Sequence, residues 1–290
     1  MPDAVPSDSA ASARVVLITG CSSGIGLSTA VAAASAGFIT VATMRDLAKD
    51  TALRSAAEAA GVTLDIRALD VTDVQSLGTA IDAVVADHGA LDILINNAGR
   101  GYVGTAEQIP IDDLREIMEV NFFGVAAATQ AALPHLRVSQ GRIITVTSVG
   151  GIVGQPFNEA YCAAKFAVEG YMESLAPVAA TVGVDVCVVE PGPVATEFVN
   201  NVGVDIEAMF ANAGDYLSAM QSYLTYVMSH FIDGSAQTGD DVAAVILEAM
   251  TADQPAFRYL TSAWAEEFTA PKLVDGDGHA IQAITRSWVG

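Results

Sequence analysis

The feature that most limits the folds open to this chain is a short apolar run, residues 15–19, that ends in Thr19-Gly20-Cys21-Ser22-Ser23-Gly24-Ile25-Gly26 and passes straight into an Ala-rich segment. The Val and Ile residues of the run are stiff about χ1 and favour a strand. Residues 24–36 are small, good helix formers and predict a helix. A strand joined to a helix by a glycine-rich turn opens a βαβ unit. In that setting Gly20, Gly24 and Gly26 allow a tight turn and let the backbone N–H groups, those of Ser22 and Ile25 included, approach a pyrophosphate. The helix N-terminus adds a favourable partial charge. Such a pattern alone also serves as a plain turn, and its place after a first strand makes it a dinucleotide signal.

The same alternation continues down the chain. Strands are predicted over 38–44, 64–69, 91–95, 143–147 and 184–189, with helices over 48–60, 74–88, 111–133 and 158–182. The strands are apolar on both faces, as strands covered on both sides must be. Crossover helices between them predict an α/β, doubly wound parallel sheet, the Rossmann fold, in a single domain over 14–290. Residues 192–235 break the rhythm with Met209, Phe210, Tyr216, Met220, Tyr223 and Tyr226 in loosely helical order. They are expected to form a helical lid over the carboxyl ends of the strands, where ligands of such sheets bind. A helix over 240–250, an edge strand over 257–260 and a short helix over 280–288 complete the reading.

Composition excludes several roles. With 34 acidic against 13 basic residues the net charge is −21, which repels phosphate backbones and anionic lipid heads. Neither nucleic acid nor a membrane surface is expected as a partner. Mean hydropathy is +0.42, but the excess is largely Ala and no long uncharged apolar run suits a spanning helix. Residues 1–13 read as a disordered leader rather than a signal peptide. Cys21, Cys162 and Cys187 have no metal-ligand spacing and cannot all pair. They read as free thiols of a reducing, cytoplasmic compartment, and no metal is expected.

At the end of the second strand, an acidic residue bonds the ribose hydroxyls of NAD, whereas an Arg accommodates a 2′-phosphate. Here Met44 is followed by Arg45, with Ser23 of the glycine loop able to donate a further hydrogen bond. NADP(H) is favoured over NAD(H), although Asp46 can turn toward the ribose instead. Tyr161 and Lys165 stand one turn apart on one helix face, so the ammonium can sit beside the phenol. A fixed cation and the positive ring of an oxidised nicotinamide would draw a phenol of ordinary pKa about 10 toward working pH, as general acid–base chemistry on an alcohol requires. Ser148 closes the fifth strand and can hold a substrate oxygen.

Taken together these motifs resemble the short-chain dehydrogenase/reductase superfamily over nearly the whole chain. The resemblance is carried by the glycine loop, Asp70-Val71, Asn96-Asn97-Ala98-Gly99, Asn121, Ser148, Tyr161 with Lys165, and Pro191-Gly192 followed by Val194 and Thr196. The segment around Arg45 and the late Arg258-Tyr259-Leu260-Thr261 resemble the branch of 17β-hydroxysteroid and retinol dehydrogenases, which typically uses NADP(H). The resemblance implies that Tyr161 moves a proton to or from the substrate oxygen. Lys165 would lower the Tyr161 pKa and bond the nicotinamide ribose, and Ser148 would orient the substrate. Asn121 would hold, through its backbone, a water linking Lys165 to solvent. Asp70 and Val71 would contact the adenine, with Asn97, Ala98 and Gly99 beside the cofactor. Asn97 is expected to tie the sheet together rather than touch substrate. Pro191, Gly192, Val194 and Thr196 would line the nicotinamide end.

The expected substrate is a bulky apolar ketone or secondary alcohol, steroid-, polyketide- or lipid-like, with His230 no more than an incidental polar contact. An alternative reading keeps the fold as a nucleotide-binding redox sensor or scaffold with little turnover. A nucleotide-sugar epimerase would need a longer C-terminal domain and another glycine spacing. The charge-poor helices over 111–133 and 158–182 predict a homodimer or homotetramer.

Overall fold

The computed structural model describes residues 13–195, 206–232, 236–274, 284 and 287. Seven parallel strands form one sheet in the order β3-β2-β1-β4-β5-β6-β7. They are β1 Val15–Ile18, β2 Ile39–Met44, β3 Asp65–Ala68, β4 Ile93–Asn96, β5 Arg142–Val146, β6 Asp185–Glu190 and β7 Arg258–Leu260. The helices are α1 Gly24–Ser35, α2 Thr51–Ala60, α3 Val74–His88, α4 Ile111–Met118, α5 Gly124–Ser139, α6 Glu159–Ala180, α7 Ile206–Asn212, α8 Leu217–Ile232, α9 Gly239–Thr251 and α10 Ala263–Val274.

Strand alternation divides the core into two layers. Val15 and Leu17 of β1, Leu94 of β4 and Val186 and Val188 of β6 enter one layer with α3, α5 and α6. Val16, Ile18, Ile93, Ile95, Cys187 and Val189 enter the other, with Ala30 and Ala33 of α1 and Val242 and Ile246 of α9. Both faces are therefore buried, which explains the unbroken apolar runs; each fully buried Val or Ile contributes about 1.5–3 kcal/mol. The order reverses between β1 and β4, and the crevice beyond their carboxyl ends is the ligand position of such sheets.

Two elements differ from the sequence reading. The helix expected over 111–133 is interrupted by a π turn, Glu119–Phe123, in which the Gly124 N–H reaches back to the Glu119 carbonyl. It then runs on to Ser139 despite Pro134, because Leu136 is buried and the Ser139 hydroxyl bonds the Leu91 carbonyl at 2.7 Å. Helix α10 lies in a segment that had carried no prediction. The leader read over 1–13 and the helix read over 280–288 fall almost wholly outside the described residues, as does Thr196.

Candidate active site

Beyond β1 and β4 the backbone is packed against itself. Gly20 has φ +75°, and a Cβ there would stand 2.7 Å from the Ala98 Cα. At Gly26 a Cβ would overlap the Gly20 carbonyl oxygen and the Asn97 amide nitrogen. One hydroxyl organises the junction: Thr19 Oγ1 accepts from the N–H groups of Asn97 and Ala98, both at 3.0 Å. The Asn97 amide in return donates to the carbonyls of Thr19 and Gly20, each at 2.9 Å. Asn97 thus ties β4 to the glycine loop. Ser22, Ser23, Gly24 and Ile25 line the half-buried rim of this turn at the N-terminus of α1, whose first N–H groups take no cap from the Ser23 side chain. A cradle without room for a Cβ, ending in a helix N-terminus, fits a dinucleotide pyrophosphate.

The other cofactor candidates surround this cradle. Arg45 is exposed just past β2. Asp70 accepts from the Thr72 N–H at 3.0 Å and hydroxyl at 2.8 Å, so its carboxylate closes its own turn. Val71 is buried against Gly124. Pro191 is tied to the far side of the site, its carbonyl accepting from the Val149 N–H at 3.0 Å, with half-buried Gly192 and Val194 following it.

The catalytic candidates converge from four elements. Ser148 opens a single turn, Val149–Gly151, by accepting the Gly150 N–H at 3.0 Å. A Cβ at Gly150 would lie 3.3 Å from the Ser148 Oγ and 3.4 Å from the Tyr161 Cε1, so the hydroxyl and the phenol flank one glycine. One turn along α6, Lys165 is 5% exposed, donates to the Val146 carbonyl at 3.0 Å and holds its Nζ 5.7 Å from the Tyr161 ring centroid. A Cβ at Gly99 would lie 3.9 Å from that Nζ and 3.0 Å from the Asn121 Oδ1, which brings the β4 loop to the same spot. Asn121 sits buried in the π turn, its side chain bonded to the Arg100 N–H and carbonyl and to the Ile117 carbonyl at 2.8–3.1 Å. Both hydrogens of its amide are thereby taken. π turns inside helices recur at functional sites.

Comparison with known proteins agrees with this geometry. A family model described as short chain dehydrogenase matches residues 14–207. Human retinol dehydrogenase 8 is 37% identical over 284 residues, covering 93% of this chain and 88% of its own. Human 17-beta-hydroxysteroid dehydrogenase type 1 is 40% identical over 256 residues, covering 86% and 77%. This chain is a short-chain dehydrogenase. Among solved structures, a short-chain dehydrogenase from Streptomyces avermitilis superposes with a TM-score of 0.74 at 28% identity, covering 95% of this chain and 98% of its own. As a member of this family it is an NAD(P)-dependent oxidoreductase acting on CH–OH groups. Among the described residues no helix is long and apolar enough to cross a membrane.

The electrostatics of this dehydrogenase differ from the sequence expectation in one respect. Burial pushes the Tyr161 phenol up from its ordinary value, and the Ser148 hydrogen bond offsets only part of that. Lys165 is itself drawn down to about 8 by burial, against the attraction of Glu169. Desolvation thus dominates both groups, raising the phenol and lowering the ammonium.

Some residues of the site were beyond sequence reasoning. Glu169, one turn past Lys165, is bridged through Arg258 at 3.0 Å to the fully buried Glu190. Its carboxyl is held above the usual range by burial, against the Thr147 hydrogen bond and the Arg258 charge. Ahead of α6, Tyr223 of α8, 4% exposed, accepts from the Asn158 amide at 2.5 Å and packs on Phe157, ring centroids 5.5 Å apart. These pairs lie far apart in sequence and carry no periodic signal.

Proposed function

We propose that this short-chain dehydrogenase is an NADP(H)-dependent ketoreductase or alcohol dehydrogenase for a bulky apolar ketone or secondary alcohol, with Tyr161 as its general acid and base. The observation that carries the reading is the pairing of the Ser148 hydroxyl and the Tyr161 phenol across Gly150, with buried Lys165 behind them. Gly20, Gly24, Gly26 and the N–H groups of Ser22, Ser23 and Ile25 would hold the pyrophosphate. Arg45 would take the 2′-phosphate, and Pro191, Gly192, Val194 and Thr196 the nicotinamide end. When bound, the nicotinamide supplies or accepts the hydride. Ser148 orients the substrate oxygen, and Tyr161 delivers a proton to it in reduction or removes one in oxidation. Lys165 fixes the nicotinamide ribose, and the Asn121 backbone supports proton exchange with solvent.

A bulky apolar substrate is supported by the side chains of α7 and α8. Met220 and Tyr223 are buried with Val149, Val153 and Phe157, which lie in the chain between Ser148 and Tyr161, and Met209, Phe210 and Trp264 pack around them. The relatives' names, retinol dehydrogenase and 17-beta-hydroxysteroid dehydrogenase, belong to substrates of that kind. Exposed Phe123 and Phe166, from the π turn and α6, support a homodimer or homotetramer, which light scattering reads. Buried free thiols at Cys21, Cys162 and Cys187 support a cytoplasmic compartment.

The test is titration of the protein with NADPH and NADH, then a screen of bulky ketones for loss of reduced-nicotinamide absorbance. Tight NADPH binding with ketone-dependent oxidation is expected. Arg45→Ala should weaken NADPH and spare NADH, and Tyr161→Phe should keep binding while losing about 10²–10⁴ in turnover. Tight binding with no turnover on any ketone or alcohol would favour the sensor reading.

A further inference from the structure

The segment that follows β6 is held by a residue outside every motif of the family pattern. Gln237 lies just ahead of α9, and its backbone forms a parallel bridge with Val194. Its N–H donates to the Pro193 carbonyl at 2.9 Å, and its carbonyl accepts from the Ala195 N–H at 2.7 Å. The side chain reaches the opposite way. Its Nε2 donates to the Thr261 carbonyl at 2.6 Å, and its Oε1 accepts from the Thr261 hydroxyl at 2.5 Å. All four polar groups of Gln237 are thus engaged, two on the post-β6 segment and two on the end of β7.

The neighbours of Gln237 extend the brace in both directions. Past Thr261, Trp264 lies against Gly192, where a Cβ would come within 2.9 Å of its ring. On the other side Thr238 caps α9 through a reciprocal pair of bonds with Asp241. Gly239 then backs onto α1, a Cβ there falling 2.8 Å from the Ser28 Oγ and 3.3 Å from the Gly24 backbone. Residues 237–239 therefore touch both the helix that ends the glycine loop and the segment that begins at Pro191. Fixing a long amide at both ends costs more side-chain entropy than burying an apolar residue of similar volume.

We propose that Gln237 is a positioning residue for the nicotinamide end of the cofactor, latching the Pro193–Ala195 backbone to Thr261 so that the segment keeps its place opposite the glycine loop. The proposal rests on the cofactor reading above and names a residue that acts through backbone, not through contact with the dinucleotide. Loss of the latch should weaken the grip on the nicotinamide half and leave the adenine half alone.

The test uses the full chain carrying Gln237→Leu, close in volume but without the amide, and Thr261→Val, which removes only the hydroxyl. Calorimetric titrations compare the dinucleotide that the wild type binds better, NADPH or NADH, with its matching adenine half, 2′,5′-ADP or 5′-ADP. For Gln237→Leu the whole dinucleotide should bind about fivefold to tenfold more weakly, the scale of one or two lost hydrogen bonds, while the adenine half changes less than about twofold. Thr261→Val should move the same ratio by a smaller factor, and it carries the test if Gln237→Leu does not fold. Equal weakening of whole and half, or no weakening of either, overturns the latch while the cofactor reading stands. A wild type that binds neither dinucleotide overturns both.

Discussion

The two ends of the cleft are built from different materials. At the glycine-loop end the chain packs backbone on backbone, with Gly20 against Ala98, and four hydrogen bonds join Thr19 and Gly20 after β1 to Asn97 and Ala98 after β4. At the proposed substrate end, α8 meets the turn before α6 through side chains, Met220, Tyr223 and Phe157 among them, with the Asn158–Tyr223 bond as a polar tie. Backbone approach of the first kind can be met only by residue types that leave room for it. Side-chain packing of the second kind can be met by many combinations of similar volume. The first end should therefore tolerate no added atom, and the second should accept exchange at modest cost.

Gly26→Ala is the strongest way to break this contrast. Its methyl would overlap the Gly20 carbonyl, which is backbone, and the Asn97 side-chain amide, which two hydrogen bonds to the Thr19 and Gly20 carbonyls hold in place. The expected cost is about 3 kcal/mol of stability, the upper end for overpacking, together with loss of measurable dinucleotide binding. Thermal unfolding and calorimetric titration read both. Binding retained within about twofold would show that the cradle yields, and the contrast would then lose its basis.

The same contrast explains what could be read from the sequence. The glycine loop was legible because a strand–turn–helix junction restricts residue type locally. Asn97-Ala98-Gly99 and the weight given to Ser148, Tyr161 and Lys165 came instead from the family resemblance, since a Tyr and a Lys four residues apart carry little signal alone. The doubly wound sheet was legible because β1, β4 and β6 are apolar on both faces. The π turn at Glu119–Phe123 was hidden, since one widened turn inside a helix leaves no mark that propensity or apolar spacing can read. Helix α10 was missed because Pro271 sits within it and its apolar residues are irregularly spaced. The Glu169–Arg258–Glu190 bridge and the Gln237–Thr261 latch depend on strands and loops that only the folded sheet brings together.

Lys165 stands where the two ends meet, and its charge supplies the next test. Burial holds it at about 8 against an ordinary 10.5. Below pH 8 both folded and unfolded chains carry the proton, and the folded state bears the full penalty of a buried cation. Between 8 and 10.5 the unfolded chain keeps a proton that the folded chain has released, so this group's contribution to stability rises with pH. Lys165→Met removes that dependence. The stability difference, mutant minus wild type, should fall by on the order of 3 kcal/mol across that window. The lost bond to Val146 adds only a constant offset. The buried thiols of Cys21, Cys162 and Cys187, raised to about 12, 11 and 12 by burial, are common to both proteins and cancel in the difference. Urea unfolding at a series of pH values measures it. A difference flat with pH would mean that Lys165 keeps an ordinary pKa, and a desolvated ammonium would have to be abandoned as part of the catalytic group.

The mildest change probes the substrate end directly. Tyr223→Phe keeps the ring packed on Phe157 and removes one hydroxyl, the acceptor of the Asn158 amide. That amide retains the Pro156 carbonyl at 2.9 Å, so its donor capacity is only half vacated. The cost should be about 1 kcal/mol, the net value of one buried hydrogen bond. Because Asn158 directly precedes α6, three residues ahead of Tyr161, loosening its tie to α8 should raise KM for a bulky ketone several-fold while kcat falls less. Dinucleotide affinity should stay within about twofold, because no bond of the Thr19–Asn97 junction involves either residue. Steady-state kinetics with the ketone varied, set beside a dinucleotide titration, separates the two quantities. Were affinity for the dinucleotide to fall in step with that for the ketone, the two ends would be one coupled unit, and their different construction would not translate into different function.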